Sequence, residues 1–219
     1  MKLKYIPLND RLYRYVCACR SKADDPLLEA LRHETEALGD VSRMQISREQ
    51  GSFMTLLVAA VGAKSAIEVG TFTGYSSICI ARGLSPRGRL LCLDASVEWT
   101  GIARRYWAQA GVANRINLRL GDAIRTLRTL PRPARFDFAF IDAAKEEYED
   151  YYELILPRMR RDGLILFDNM LWGVRLGGRR LTQGTGRAID QLNRKLARDK
   201  RIECVLLPIA DGLQLCRKL

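Results

Sequence analysis

From residue 65 onward, short apolar runs alternate with longer stretches of helical periodicity, and few folds accommodate that rhythm. Strands are expected at 65–70, 89–94, 116–120, 136–142 and 163–168, separated by helix-like segments at 76–82, 97–110, 122–130 and 146–160. A short run that stays apolar, without polar alternation, is how a parallel strand reads when both its faces are buried. Repeated strand–helix units with right-handed crossovers place helices on both faces of one sheet. A further helix at 186–198 leads to 202–207, then Ala210-Asp-Gly212, then 213–219. That ending reads as a hairpin, so one terminal strand must run antiparallel to its neighbour. The expected class is α/β, a doubly wound and mostly parallel sheet.

The region before residue 65 reads as helical. Leu12, Tyr15, Val16 and Cys19 recur at helical spacing behind an Asn9-Asp10 cap, and a second helix starts at Asp25-Pro26 and runs to Leu38, stopped by Gly39. A third carries a capping-box pattern, Ser47-x-x-Gln50, and ends near Gly62. With 219 residues, 47% hydrophobic and 28% charged, the chain suits a single domain with a substantial core. Residues 1–62 are expected as a helical cover over the site and 63–219 as the α/β core.

No apolar run approaches the roughly 20 residues that span a bilayer, and the N-terminus lacks the pattern of a secretory signal. The six cysteines are scattered, several in apolar strand-like runs, and read as reduced core residues of a cytoplasmic protein. Cys17-Ala-Cys19 is a weak metal signal. The net charge of +11 suits attraction of an anionic substrate, nucleic acid or a membrane surface. Its dispersal along the chain favours a solvated basic surface, with one local cluster at Arg175, Arg179, Arg180 and Arg187 in a Gly-rich stretch.

Two expected strands break abruptly into polar groups: Phe-Ile-Asp-Ala-Ala-Lys at 140–145 and Leu-Phe-Asp-Asn at 166–169. Asp142, Asp168 and Asn169 supply two carboxylates and an amide oxygen, a hard-oxygen set suited to Mg²⁺ or a similar cation. Two acids on adjacent strand ends repel unless a cation or a basic group neutralises them. A salt bridge from Asp142 to Lys145 is the plainer alternative. Asn169 favours a metal.

Upstream, Glu68-Val-Gly-Thr-Phe-Thr-Gly-Tyr-Ser forms a strand-to-helix turn of the cofactor-cradling kind. Gly70 and Gly74 would let the backbone pass close to a ligand, and the free amides at Ser76 suit a carboxylate or phosphate. Asp94 ends the next strand at a separation near the roughly 20 residues at which an acid receives ribose hydroxyls. Gly121-Asp122-Ala123 ends the third strand, either flanking an adenine ring or with Asp122 capping the next helix. Both remain open. A nucleoside-containing cofactor is the better account of these features together. His33 is the only histidine and is expected to be exposed, so a general base must come from Lys, Asp, Glu or Tyr. Lys145, near a divalent cation, is the natural candidate.

Several motifs in order complete the picture: Met-Gln-Ile-Ser-x-Glu-Gln-Gly at 44–51, the turn at 68–76, Glu-Trp-Thr at 98–100, Ile-Asp-Ala-Ala-Lys at 141–145, Asp-Asn-x-Leu-Trp at 168–172 and Leu-Pro-Ile-x-Asp-Gly-Leu at 207–213. From about Met44 to the C-terminus the chain resembles the cation-dependent class I O-methyltransferases that use S-adenosylmethionine, the group of caffeoyl-CoA and catechol O-methyltransferases. The resemblance implies a Rossmann-like, doubly wound sheet of seven strands with a reversed last strand. It implies that Glu68, Gly70, Thr71, Ser76, Asp94 and Ala123 hold the methyl donor, with Ile46 and Phe72 lining that pocket and Asp142 at its edge. Asp142, Asp168 and Asn169 would ligate the cation, Mg²⁺ first and Mn²⁺ or Ca²⁺ as alternatives. Lys145 would take the proton of a phenolic acceptor held against Asp142, Lys145 and Asn169, with Tyr151 and Trp172 bordering it. A homodimer is implied too. The chain departs from many plant relatives in having Ala144 where they carry a second acid, and in its Gly/Arg-rich stretch after Trp172. An RNA methyltransferase and a non-catalytic binding protein on the same scaffold are the competing readings.

Overall fold

The computed structural model describes residues 4–131, 136–171 and 184–219. Its sheet comprises β1 (Ser65–Val69), β2 (Arg89–Asp94), β3 (Ile116–Leu120), β4 (Phe136–Ile141), β5 (Met159–Phe167), β6 (Ile202–Leu207) and β7 (Leu213–Lys218). The spatial order is β3-β2-β1-β4-β5-β7-β6, with β1 through β5 parallel and β7 antiparallel to both β5 and β6. The reversed strand thus enters the sheet between β5 and β6. Order reverses between β1 and β4, the switch point at which ligands of open α/β sheets bind.

The helices are α1 (Asp10–Ala18), α2 (Pro26–Glu36), α3 (Arg48–Ala60), α4 (Tyr75–Gly83), α5 (Val97–Gln109), α6 (Ala123–Thr129), α7 (Tyr148–Ile155) and α8 (Gly184–Leu196). Side chains alternate across each strand, and the core divides accordingly. Ala66, Leu90, Cys92, Phe138, Phe140 and Leu166 pack with α2 to α5 on one face. Ile67, Val69, Leu93, Ala139, Ile141 and Phe167 pack with α6 to α8 on the other. Covering both faces is what makes the strands continuously apolar.

Local signals explain several boundaries. Asn9 Oδ1 accepts from Leu12 N and Asp25 Oδ1 from Leu27 N and Leu28 N, so both expected caps form. The capping box does not. Ser47 makes no side-chain capping bond, and Gln50 is buried beside Asp168 instead. The helix expected over 146–160 is also shorter. Lys145–Glu147 is a 3₁₀ turn, α7 ends at Ile155, and Leu156–Arg158 is a second 3₁₀ turn containing Pro157. The chain then enters β5 earlier than expected, and a register shift against β4 absorbs the extra residues around Asp162, whose φ is +61°. All six cysteines are free thiols, and His33 is 74% exposed beside Glu36. Among the described residues no helix is long and apolar enough to cross a membrane.

Candidate active site at the carboxyl rim of the sheet

Ladder hydrogen bonds continue past the strand ends and set several chain turns on one rim. Gly70 N donates to Leu93 O, Gly121 N to Asp94 O, Asp142 N to Val69 O and Asp168 N to Ile141 O. Above this rim lies a cleft of about 920 Å³. Ile46, Gly70, Thr71, Phe72, Ser76, Asp94, Ala123, Asp142, Lys145, Tyr151 and Asn169 all line it. Glu68 and Asp168 do not; they lie beneath, 0% and 3% exposed. Trp172, like Arg175, Arg179 and Arg180, lies outside the described residues.

One half of the cleft is a cradle built around Asp94. Its Oδ2 accepts from Thr71 N at 2.8 Å and Phe72 N at 2.9 Å, and its Oδ1 from Ser96 N at 2.7 Å. The carboxylate therefore ties the turn after β1 to the turn after β2, and Oδ1, which accepts a single bond, keeps acceptor capacity for a ligand hydroxyl. Phe72 holds a left-handed φ of +51° and packs edge-on against Trp99 at 5.1 Å. Such backbone in a bulky residue is strained and concentrates at functional sites.

The turn glycines also have a reason in the protein's own packing. A Cβ on Gly70 would lie 2.0 Å from the Asp142 carbonyl oxygen, and one on Gly74 would lie 2.7 Å from Ala103 Cβ. Both are required by the protein's own packing, at φ of +90°.

Asp122 caps α6 by accepting from Arg125 N at 2.7 Å, and Gly121, Asp122 and Ala123 all line the cleft, so the cap does not remove this turn from the site. Glu68 accepts from Thr71 Oγ1 and Cys92 Sγ, each at 3.2 Å. Complete burial pushes its carboxyl up to about 7, against the opposing pull of the Ser76, Cys92 and Thr71 donors.

The other half gathers the acids. Lys145 Nζ lies 2.7 Å from Asp142 Oδ1, so the plain salt bridge forms. Burial still raises the Asp142 carboxyl, and Lys145 opposes the rise. Asp168 is pushed up to about 8, first by burial and then by the charge of Asp142. Asn169 has φ of +58°, which Asn tolerates better than most residues, and its Nδ2 donates to Asp211 Oδ2 at 2.7 Å. Tyr151 donates to Glu147 Oε2, and burial raises its hydroxyl far above the usual range.

Two largely enclosed carboxylates, both raised by burial and Asp168 further by the charge of Asp142, with an amide beside them, form a donor set whose chemistry fits a hard divalent cation. Among the described residues no three His, Cys, Asp or Glu side chains converge on a common point.

Some residues of the cleft carried no chemical role in the sequence. Gln45 Nε2 donates to Thr35 Oγ1 and Thr73 Oγ1, tying the segment before α3 to the turn after β1. Trp99 and Asp211 line the cleft as well. Both stood inside motifs, Glu-Trp-Thr and Asp-Gly, whose pattern suggests a helix start and a hairpin turn and nothing of a ligand.

A family model described as O-methyltransferase matches residues 18–219 of the chain. A probable caffeoyl-CoA O-methyltransferase 2 of Dictyostelium discoideum is 41% identical over 180 residues, covering 80% of this chain and 78% of that protein. The O-methyltransferase from Bacillus cereus, solved in complex with SAH, superposes with a TM-score of 0.84 at 28% identity, covering 95% of this chain and 97% of the other. TomG of Streptomyces achromogenes, involved in tomaymycin synthesis and solved with SAM, gives 0.84 at 28% identity, covering 95% and 96%.

Proposed function

Since the chain belongs to the O-methyltransferase family, related to the caffeoyl-CoA type, we propose that it methylates one hydroxyl of a vicinal phenolic diol in a divalent-cation-dependent reaction. It is an S-adenosylmethionine-dependent O-methyltransferase. The observation that carries the finer reading is the common rim. Residues of the Gly70–Ser76 turn, Asp94, Asp142, Lys145 and Asn169 all line a single cleft.

The donor supplies a methyl group on a sulfonium, which is displaced in line. The enzyme's own work is therefore alignment and removal of the acceptor proton. Ile46, Phe72, Gly70 and Thr71 would enclose the donor, Ser76 at the amino end of α4 would receive its carboxylate, Asp94 its ribose hydroxyls, and Ala123 would border its base. Asp142, Asp168 and Asn169 would hold the cation, Mg²⁺ or alternatively Mn²⁺ or Ca²⁺. A cation held there would lower the pKa of two neighbouring acceptor oxygens and fix their position. Lys145 Nζ takes the acceptor proton as the new O–CH₃ bond forms and the S–CH₃ bond breaks. The vicinal diol is preferred because two adjacent oxygens chelate where one cannot. Tyr151, buried beside the cleft, would border the acceptor ring, as would Trp172 by family resemblance.

Residues 1–62 are proposed as the cover of the site and 63–219 as the core of the same domain. The segment 40–46 bordering the cleft supports this. The working form is proposed to be a homodimer, which light scattering tests against the 24.8 kDa chain mass. Methylation of a simple catechol with Mg²⁺, compared with the same assay in EDTA and with total RNA as acceptor, tests the reaction. Activity on the catechol that EDTA abolishes supports the reading. Undiminished activity in EDTA, methylation of RNA in preference, or no turnover at all each overturns it.

A further inference from the structure

Asn169 is an unusual choice of ligand because an amide has two ends. A cation takes only the carbonyl oxygen, whereas an unsupported amide rotates freely and presents its NH₂ group as readily. In this chain that freedom is removed. Asn169 Nδ2 donates to Asp211 Oδ2 at 2.7 Å, across a sequence separation of 42 residues. A carboxylate only accepts, so it selects the NH₂ end, and Oδ1 is left on the opposite side of the amide.

The two residues are held in place by their backbones as well. Met170 N donates to Gly212 O and Leu171 N to Asp211 O, both at 2.8 Å. The β6–β7 turn that carries Asp211 is closed by Gly212 N donating to Ile209 O at 2.9 Å, with Ala210 in a left-handed conformation at φ of +49°. Gly212 is pressed so closely on this segment that a Cβ there would lie 2.4 Å from Leu171 N. The hairpin turn is keyed into the chain just beyond Asp168 and Asn169, and the side-chain hydrogen bond sits on a rigid base.

We propose that Asp211 is a positioning residue that orients the Asn169 amide so that its Oδ1 faces the divalent cation. This rests on the cation reading above. In this proposal Asp211 acts through Asn169; its charge also reaches Asp142 and Asp168, raising both carboxyls, so the test must separate orientation from charge. Partners of metal ligands in other proteins commonly change metal affinity by about 10–100-fold when removed.

The test is binding of Mn²⁺ to the full-length chain, followed by electron paramagnetic resonance of the free ion, with S-adenosylmethionine binding by calorimetry as a check on folding. Asp211→Ala should weaken Mn²⁺ binding by about 10–100-fold in the wild-type background. In an Asn169→Ala background the same change should cost less than about 3-fold, because the group it orients is gone. Asp211→Asn, which keeps an acceptor oxygen, serves if the alanine variant does not fold, and should weaken binding less than Asp211→Ala does. Equal weakening by Asp211→Ala in both backgrounds would mean that Asp211 acts by its own charge or as a ligand, and would overturn the inference. So would an unchanged affinity. A wild-type chain that binds S-adenosylmethionine but no Mn²⁺ would overturn the cation reading itself, a result distinct from tight wild-type binding that Asp211→Ala leaves intact.

Discussion

Lys145 Nζ stands 2.7 Å from Asp142 Oδ1, and both side chains are nearly enclosed, 12% and 14% exposed. The pair joins the proposed proton acceptor to a proposed cation ligand within a single turn of chain. Lys145 also lies over the Tyr148 ring, its Nζ 5.2 Å from the ring centre, which limits where the amine can swing.

If Lys145 is the base, Lys145→Ala should cut kcat on a catechol by roughly 10²–10⁴ with little change in donor affinity. Lys145→Arg should not rescue turnover, because a guanidinium stays protonated. A lone phenol should react far more slowly than the matching diol. Near-wild-type kcat in Lys145→Ala, or equal rates on phenol and diol, would count against this assignment.

Asp94→Ala should weaken S-adenosylmethionine binding, measured by calorimetry, by about 1–3 kcal/mol. Because Asp94 also accepts from Thr71 N, Phe72 N and Ser96 N, the melting temperature of the unliganded chain should fall too. An unchanged dissociation constant would refute the ribose role, and an unchanged melting temperature would refute the turn-tying role.

Glu68 and Asp168 give a pH dependence whose sign is set by their raised carboxyls, about 7 and about 8 against ordinary values of 4.5 and 3.8. Between the unfolded and folded values the folded chain binds more protons than the unfolded one. Stability is therefore greatest below the ordinary range and falls as pH rises, through about 7 for Glu68 and about 8 for Asp168. The melting temperature of the metal-free chain should decline from about pH 5 to about pH 8 and then level. Glu68→Gln should flatten the part of the decline that ends near pH 7, and excess Mg²⁺ should reduce the part that continues to about pH 8. A flat profile by calorimetry would contradict both shifts.

Gly70→Ala should be among the most damaging single changes in the chain. The new methyl would meet the Asp142 backbone, at a φ that L residues rarely adopt. Strain and overpacking together should cost roughly 2–5 kcal/mol, read as a fall of about 2–4 °C in Tm per kcal/mol. A variant that melts like the wild type would disprove the contact.

Much of the site was legible before the fold was known, because a strand buried on both faces must stay apolar until it reaches solvent. Phe-Ile-Asp at 140–142 and Leu-Phe-Asp at 166–168 therefore announce their own ends, and so announce the rim where Asp142 and Asp168 sit. The reversed final strand was equally plain from Ala210-Asp-Gly212 between two apolar runs. Local chemistry was less dependable where tertiary contacts competed with it. Ser47-x-x-Gln50 spells a capping box, yet Gln50 is drawn under the cleft to Asp168, and Pro157 divides what periodicity alone makes one helix. What only the tertiary structure decided is the company these residues keep. Nothing in sequence pairs Asn169 with Asp211. They meet because β7 enters the sheet beside β5 and carries the hairpin turn back over the rim, a long-range pairing whose stability comes from sheet register and burial and leaves no local signature.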